Sequence, residues 1–322
     1  MATRILKFVI FMELSSLLLL CEGRAVPAQS AAASKNSETS SKKHSDQNSG
    51  AARIERDVVY GQVGEVALKL DLYFPRPAPG TNFPVVMYVH GGGWVMGDKS
   101  MVKDMPGFEE LLRRGYVVAA INYRLGSQYK FPAMIEDAKC GVRFLRAHAR
   151  VFALDPDRLG VIGDSAGGQL VSLLGLTGSS AGFDGTGGWS HCSARVQAVV
   201  DLYGPTDFTA ASASSSMMSR RILKAAFGTN AKDAPILKQA SPINHVSTNA
   251  PPFLIVHGDH DKMVQPKQSE ELNAKLKACG ASSTLLMVTN YSHGFTPWRL
   301  KRNPDHAALS TMVADFFDRN LP

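Results

Sequence analysis

Long hydrophobic runs are what this 322-residue chain most lacks. The N-terminal stretch Phe8–Met12 is broken by Glu13 before apolar residues resume at Leu17–Leu20. A spanning helix needs about 20 consecutive apolar residues, so a membrane anchor is disfavoured. Arg4 and Lys7 ahead of these short runs, with Val26-Pro27-Ala28 as a cleavage site, predict a secretory signal peptide over 1–28 and an exported protein. Cysteine is scarce too, with four in all. Cys21 follows a leucine rather than a small residue, which argues against lipid anchoring there. Once the leader is removed, Cys140, Cys192 and Cys279 remain, without metal-site spacing and with room for at most one internal disulfide. Charge of one sign never accumulates. The net charge is +7, yet Lys and Arg are scattered, the densest group being Arg299, Lys301 and Arg302, so a nucleic-acid site is not expected. From Ser30 to Gly50 almost no apolar residue exceeds alanine, and such a segment cannot offset its ordering entropy. Residues 29–53 are therefore expected to form a disordered tether.

The remainder, 54–322, has the pattern of one α/β unit. Val66, Leu68, Leu70 and Leu72 alternate, as in a half-buried antiparallel edge strand, with "DVVYGQV" as its partner. Phe83–Val89 is nearly continuous in apolar residues, the mark of a strand buried on both faces. Strands and helices then alternate to the C-terminus. That order requires a mostly parallel central sheet, here of about eight strands, with helices on both faces. The one long departure, about 207–246, carries Met217, Met218, Ile222 and Phe227 at helical spacing and is read as a packed helical insertion at the top of the sheet.

Gly-x-Ser-x-Gly occurs twice, around Ser165 in "VIGDSAGG" and around Ser180 in "GSSAG". Ser165 follows a short apolar strand and opens a helix, the strand-turn-helix context that exposes a nucleophile above a sheet. Ser180 has neither and is read as a loop serine. A serine hydroxyl needs a base, and the base needs a carboxylate to hold its tautomer. In this architecture they follow in the order Ser, Asp or Glu, His, each after a strand. Of nine histidines, His293 lies between the last strand and the last helix and is the candidate base. In "HGDHD", Asp261 is preferred over Asp259 as the acid, because Asp259 sits where it would organise the turn itself, and His257 is read as a loop-shaping residue. Oxyanion donors are expected from the backbones of Gly92 and Gly93 in "HGGGW" and of Ala166 at a helix N-terminus. Trp94, Trp189 and Trp298 are candidates for a substrate pocket, although packing suits at least two of them.

Together, "VHGGGWVMGDKS", "LDPDRLGVIGDSAGG", "VQAVVDLYGPTDF" and "PPFLIVHGDHDKMV" resemble the α/β-hydrolase superfamily, and more narrowly the bifunctional feruloyl and acetyl-xylan esterase family. Asp164, before the nucleophile, is similar to hormone-sensitive-lipase-like esterases. The resemblance implies a serine carboxylesterase acting through an acyl-enzyme with neither cofactor nor metal, on small or polysaccharide-linked esters such as acetyl or feruloyl groups of plant cell walls. A formamidase-type amide hydrolase and a lipase-like esterase are the alternatives. A non-catalytic binding module would have lost a triad position, and all three are filled.

Overall fold

The computed structural model describes residues 50–76, 82–210, 217–295 and 303–322. The segment expected to be a leader (1–28), residues 29–49 of the expected tether and Trp298 lie outside the described residues. Strand β1 (Arg53–Val63) and strand β2 (Val66–Phe74) form an antiparallel pair turning at Gly64, whose φ of 56° suits glycine. The ladder begins inside the segment read as tether, because Arg53 pairs with Phe74 and the Ala52 N–H donates to Phe74 O at 2.9 Å.

The parallel body consists of β3 (Phe83–Val89), β4 (Val117–Ile121), β5 (Leu154–Asp164), β6 (Ala198–Leu202), β7 (Phe253–Gly258) and β8 (Ser283–Val288). The eight strands lie in the order β1-β2-β4-β3-β5-β6-β7-β8, with β2 antiparallel to both neighbours and every pair from β4 to β8 parallel. This is the α/β-hydrolase arrangement. Helices α1 (Phe108–Arg113) and α8 (His306–Asn320) cover one face. Helices α2 (Ala133–Ala147), α4 (Ala166–Leu176) and α7 (Lys267–Ala278) cover the other, with the short α3 (Ala149–Phe152) following α2.

The strand period of two explains the continuous apolar run of β3. Val85, Met87 and Val89 enter the core beneath α2 and α4, while Val86 and Tyr88 enter the core beneath α1 and α8. Leu170 and Leu173 of α4 are fully buried in the first layer. Truncating either to alanine costs about 2–5 kcal/mol, so the helix that carries Ser165 at its start is anchored along its length.

The insertion contains α5 (Met217–Phe227) and a second short helix, α6 (Pro235–Ala240). Pro235 starts α6, where a fixed φ and a missing N–H carry no penalty. Helix α5 packs rather than floats: the Phe227 ring lies 5.0 Å from Trp94 and 5.1 Å from Phe208, and the Lys130 ammonium donates to Ala225 O at 2.5 Å. Among the described residues no helix is long and apolar enough to cross a membrane.

Candidate active site

Strand β5 ends at Asp164, and α4 begins at Ala166, so the whole reversal falls on Ser165. Its φ of 51° and ψ of −115° are strained for a residue with a Cβ. Two contacts hold that conformation: the Ser165 N–H donates to Leu202 O at 2.8 Å, and Ser165 O accepts the first helical bond from Gln169 N. The flanking glycines are there because backbone comes too close for anything larger. A Cβ on Gly163 would strike the Gly167 carbonyl, and one on Gly167 would strike the Val89 carbonyl of the neighbouring strand.

Above this turn three side chains form one hydrogen-bonded line. Ser165 Oγ lies 2.8 Å from His293 Nε2, and His293 Nδ1 lies 2.7 Å from Asp261 Oδ2. The carboxylate accepts only, so Nδ1 carries the proton and Nε2 is left to accept from the serine hydroxyl. His293 follows β8 in a one-turn segment, His293–Phe295, that reverses at Gly294 with φ of 73°. Asp261 follows β7, and its Oδ1 is fixed by the N–H groups of Met263 at 2.8 Å and Val264 at 2.9 Å. Asp259, the other carboxylate considered, bonds the imidazole of His260 at 2.6 Å and accepts from the Tyr291 N–H at 3.4 Å.

His257 does more than shape a loop. It is fully buried, with Nε2 2.9 Å from Val264 O and 3.2 Å from Asp261 Oδ2. Both partners are acceptors, so Nε2 holds the proton, and Nδ1 accepts from the Ser269 hydroxyl at 2.7 Å. Burial alone would raise the Asp261 pKa, but the bonds from His257 and His293 outweigh it and hold the carboxyl well below the usual range. Asp261 is thus kept as the anion that the His293 tautomer requires. The spacing of four residues between His257 and Asp261 could have signalled this pairing, though only the β7 turn geometry makes it certain that they meet.

The loop after β3 supplies the third part. Gly92, Gly93 and Trp94 all have positive φ, at 101°, 60° and 62°. Gly92 O accepts from Val95 N at 3.2 Å and Met96 N at 3.1 Å, which closes a tight turn and leaves the glycine backbone facing the cavity. Asp164 secures its base, accepting from Tyr88 Oη at 2.7 Å and Gly91 N at 3.0 Å. Burial of Asp164 outweighs these bonds and pushes its carboxyl above the ordinary range. Farther along, Trp94 Nε1 donates to Gln169 Oε1 at 2.9 Å, and Gln169 Nε2 donates to Ala240 O at 2.8 Å. Gln169 therefore ties the loop, α4 and the insertion together. Ala166 is the first residue of α4, where the N–H has no intrahelical acceptor and the helix dipole favours negative charge.

These elements enclose a cavity of about 550 Å³ that includes Ser165, His293, Gly92 and Gly93. Its walls are mainly apolar: Trp94, Phe208, Ile222 and Leu223 line it, with the partly exposed Met96, Met218 and Met263 at its edge. Of the candidate tryptophans, Trp94 lines it. Trp189 does not. Its Nε1 donates to Tyr60 O at 2.8 Å and its ring packs edge-on to His148 at 4.5 Å, which holds it against β1 and α2 away from the site. Among the described residues, no three His, Cys, Asp or Glu side chains are grouped to hold a metal ion.

A family model described as BD-FAE matches residues 70–276. Esterase LipQ of Mycobacterium tuberculosis is 31% identical over 242 residues, covering 74% of this chain and 56% of LipQ. The probable carboxylic ester hydrolase LipM of the same organism is 34% identical over 66% of this chain and 49% of LipM. The chain thus spans about half the length of these curated relatives. Among solved structures, a truncated carbohydrate esterase from gut microbiota superposes with a TM-score of 0.73 at 25% identity, over 85% of this chain and 98% of that one. Esterase Est2 of Thermogutta terrifontis, solved with propionate bound, gives 0.67 at 25% identity, over 84% of this chain and 94% of that one.

Proposed function

The chain belongs to the BD-FAE family, and from that premise we propose that it is a serine carboxylesterase acting on esters with an apolar acyl group. The observation that carries this reading is the hydrogen-bonded line from Ser165 through His293 to Asp261. His293 Nε2 takes the Ser165 proton as Oγ attacks the ester carbonyl, and Asp261 stabilises the imidazolium that forms. The carbonyl oxygen, now negative, is received by the backbone N–H groups of Gly92, Gly93 and Ala166, each of which is worth about 3–4 kcal/mol in the transition state. The imidazolium returns its proton to the departing alcohol. Water activated by the same histidine then releases the acid.

The acyl group is assigned to the apolar cavity, whose 550 Å³ accommodates acids from acetate up to an aromatic acid such as ferulate. The propionate held by the Thermogutta esterase supports short acyl groups, and the gut carbohydrate esterase supports sugar-linked ones. The test is turnover of p-nitrophenyl esters of increasing chain length, methyl ferulate and acetylated xylan, each against Ser165→Ala. Hydrolysis that persists in the variant would overturn the reading. Export rests on the leader sequence alone, and fractionation of a tagged full-length chain tests it.

A further inference from the structure

We propose that a second cleft, at the C-terminal end of α4, binds a small tetrahedral oxyanion. Ser165 stands at one end of this 11-residue helix, and the cleft lies at the other, about 16 Å away by helix rise. It encloses about 230 Å³ and shares no lining residue with the cavity above Ser165.

The cleft forms where α2 meets the loop over residues 177–195. Lys139, Arg143 and Arg146 follow at spacings of four and three on α2, which places them on one face of the helix. Lys139 is 1% exposed and Arg143 is 3% exposed. Their donors hold the loop down through backbone carbonyls. Lys139 Nζ donates to Gly178 O at 3.1 Å, Arg143 donates to Gly188 O at 3.1 Å and Asp184 O at 2.7 Å, and Arg146 donates to Ser193 O at 2.6 Å.

Carbonyl oxygens satisfy hydrogen bonds but carry no net charge. The one carboxylate lining the cleft is Asp184, 3.3 Å from Lys139 Nζ and 4.0 Å from Arg143, and its side chain is 45% exposed. Two buried cations therefore share a single half-exposed anion, an arrangement that is costly until more negative charge arrives. Burial holds the Lys139 ammonium below its ordinary range; Asp184 opposes that shift and Arg143 adds to it.

Arg195 supplies a third, exposed cation on the cleft wall. Ser179, Ser190 and Ser193 line the same space with hydroxyl donors. Ser193 Oγ accepts from Arg195 N at 3.1 Å, which leaves its own proton to give. The carbonyl end of α4 disfavours an anion here, and Lys139, bonded to Gly178 O, offsets that field. Guanidinium and hydroxyl donors around surplus positive charge are the chemistry of phosphate and sulfate binding. The occupant is a free oxyanion or the phosphate group of a small sugar ester.

Titration calorimetry of the full chain with sodium phosphate, with glucose 6-phosphate and with sodium chloride at matched ionic strength tests the site. Saturable one-to-one binding of either phosphate compound, with chloride giving none, is the expected result. Tighter binding of glucose 6-phosphate identifies the ester as the occupant, and tighter binding of inorganic phosphate identifies the free ion. Arg195→Glu, at an exposed position, should weaken binding by about tenfold or more and leave p-nitrophenyl acetate hydrolysis unchanged, so the result is independent of the proposed esterase activity. Absence of saturable binding by both phosphate compounds, or binding unaltered in Arg195→Glu, would overturn the proposal.

Discussion

The two ends of α4 carry the same five-residue pattern, and almost nothing else about them is alike. At the N-terminal end, Gly163 and Gly167 flank Ser165 where backbone from β3 and β5 closes on the helix, and a Cβ at either position would meet a carbonyl. At the C-terminal end, Gly178 and Gly182 flank Ser180 in a one-turn segment with nothing within 4 Å of where a Cβ would stand. Ser165 is forced to a φ of 51° by the strand behind it and the helix ahead. The pattern has chemical content only where the glycines are required by contact.

The sharpest way to break this contrast is at the proposed nucleophile. Ser165→Ala should lower kcat for p-nitrophenyl acetate by about 10⁴–10⁶-fold, since the oxyanion donors alone retain little. Next, Asp261→Asn should cost about 10⁴-fold in kcat with the fold intact, because an amide can present its N–H to His293 and stabilise the wrong tautomer. Gly167→Ala tests the packing behind the serine: helix propensity favours alanine by roughly 1 kcal/mol, but the clash with Val89 O should turn the outcome into a loss of about 3 kcal/mol or more by urea denaturation. Gly178→Ala, at a φ of −79° in open space, should instead be neutral or stabilising by up to about 1 kcal/mol.

His257→Gln is a subtler probe. It removes the imidazole donor that helps keep Asp261 ionised, so kcat should fall by up to about 10²-fold through misplacement. The pH profile should move as well. Asp261 has a depressed folded pKa, so its contribution to stability is present above the ordinary carboxylate value and is lost as pH falls through the lowered one. With His257 gone the lowered value rises, and acid inactivation should begin at higher pH. The smallest effect belongs to Ser180→Ala, which should leave turnover unchanged within about twofold, as expected for a surface substitution.

Much of the fold was legible because burial on both faces leaves a direct trace: β3 and the second half of β5 read as apolar runs, and the alternation of strand and helix fixes a parallel sheet. Ser165, His293 and Asp261 could be singled out because strand ends are where this architecture places side chains above the sheet. Other parts were not legible, for physical reasons. Gln169 looks like any polar residue within a helix, yet it is fully buried and joins Trp94 to the insertion. Trp189 lies in the connection that leads into the start of β6, at the end of the sheet opposite Ser165, and spends its N–H on Tyr60 O. Lys139, Arg143 and Arg195 are spread over 57 positions of the chain, and only the docking of the 177–195 loop on α2 gathers them into one cleft. Sequence periodicity reports which face of an element is buried, but not which distant residue it is buried against.

The most direct test of the central claim is covalent. The full chain is treated with phenylmethanesulfonyl fluoride, digested and mapped by mass spectrometry, with Asp261→Asn treated in parallel. A single adduct on Ser165, formed much more slowly in the variant, is the predicted result. Modification of Ser180, or a folded protein with Ser165 unmodified, would contradict it.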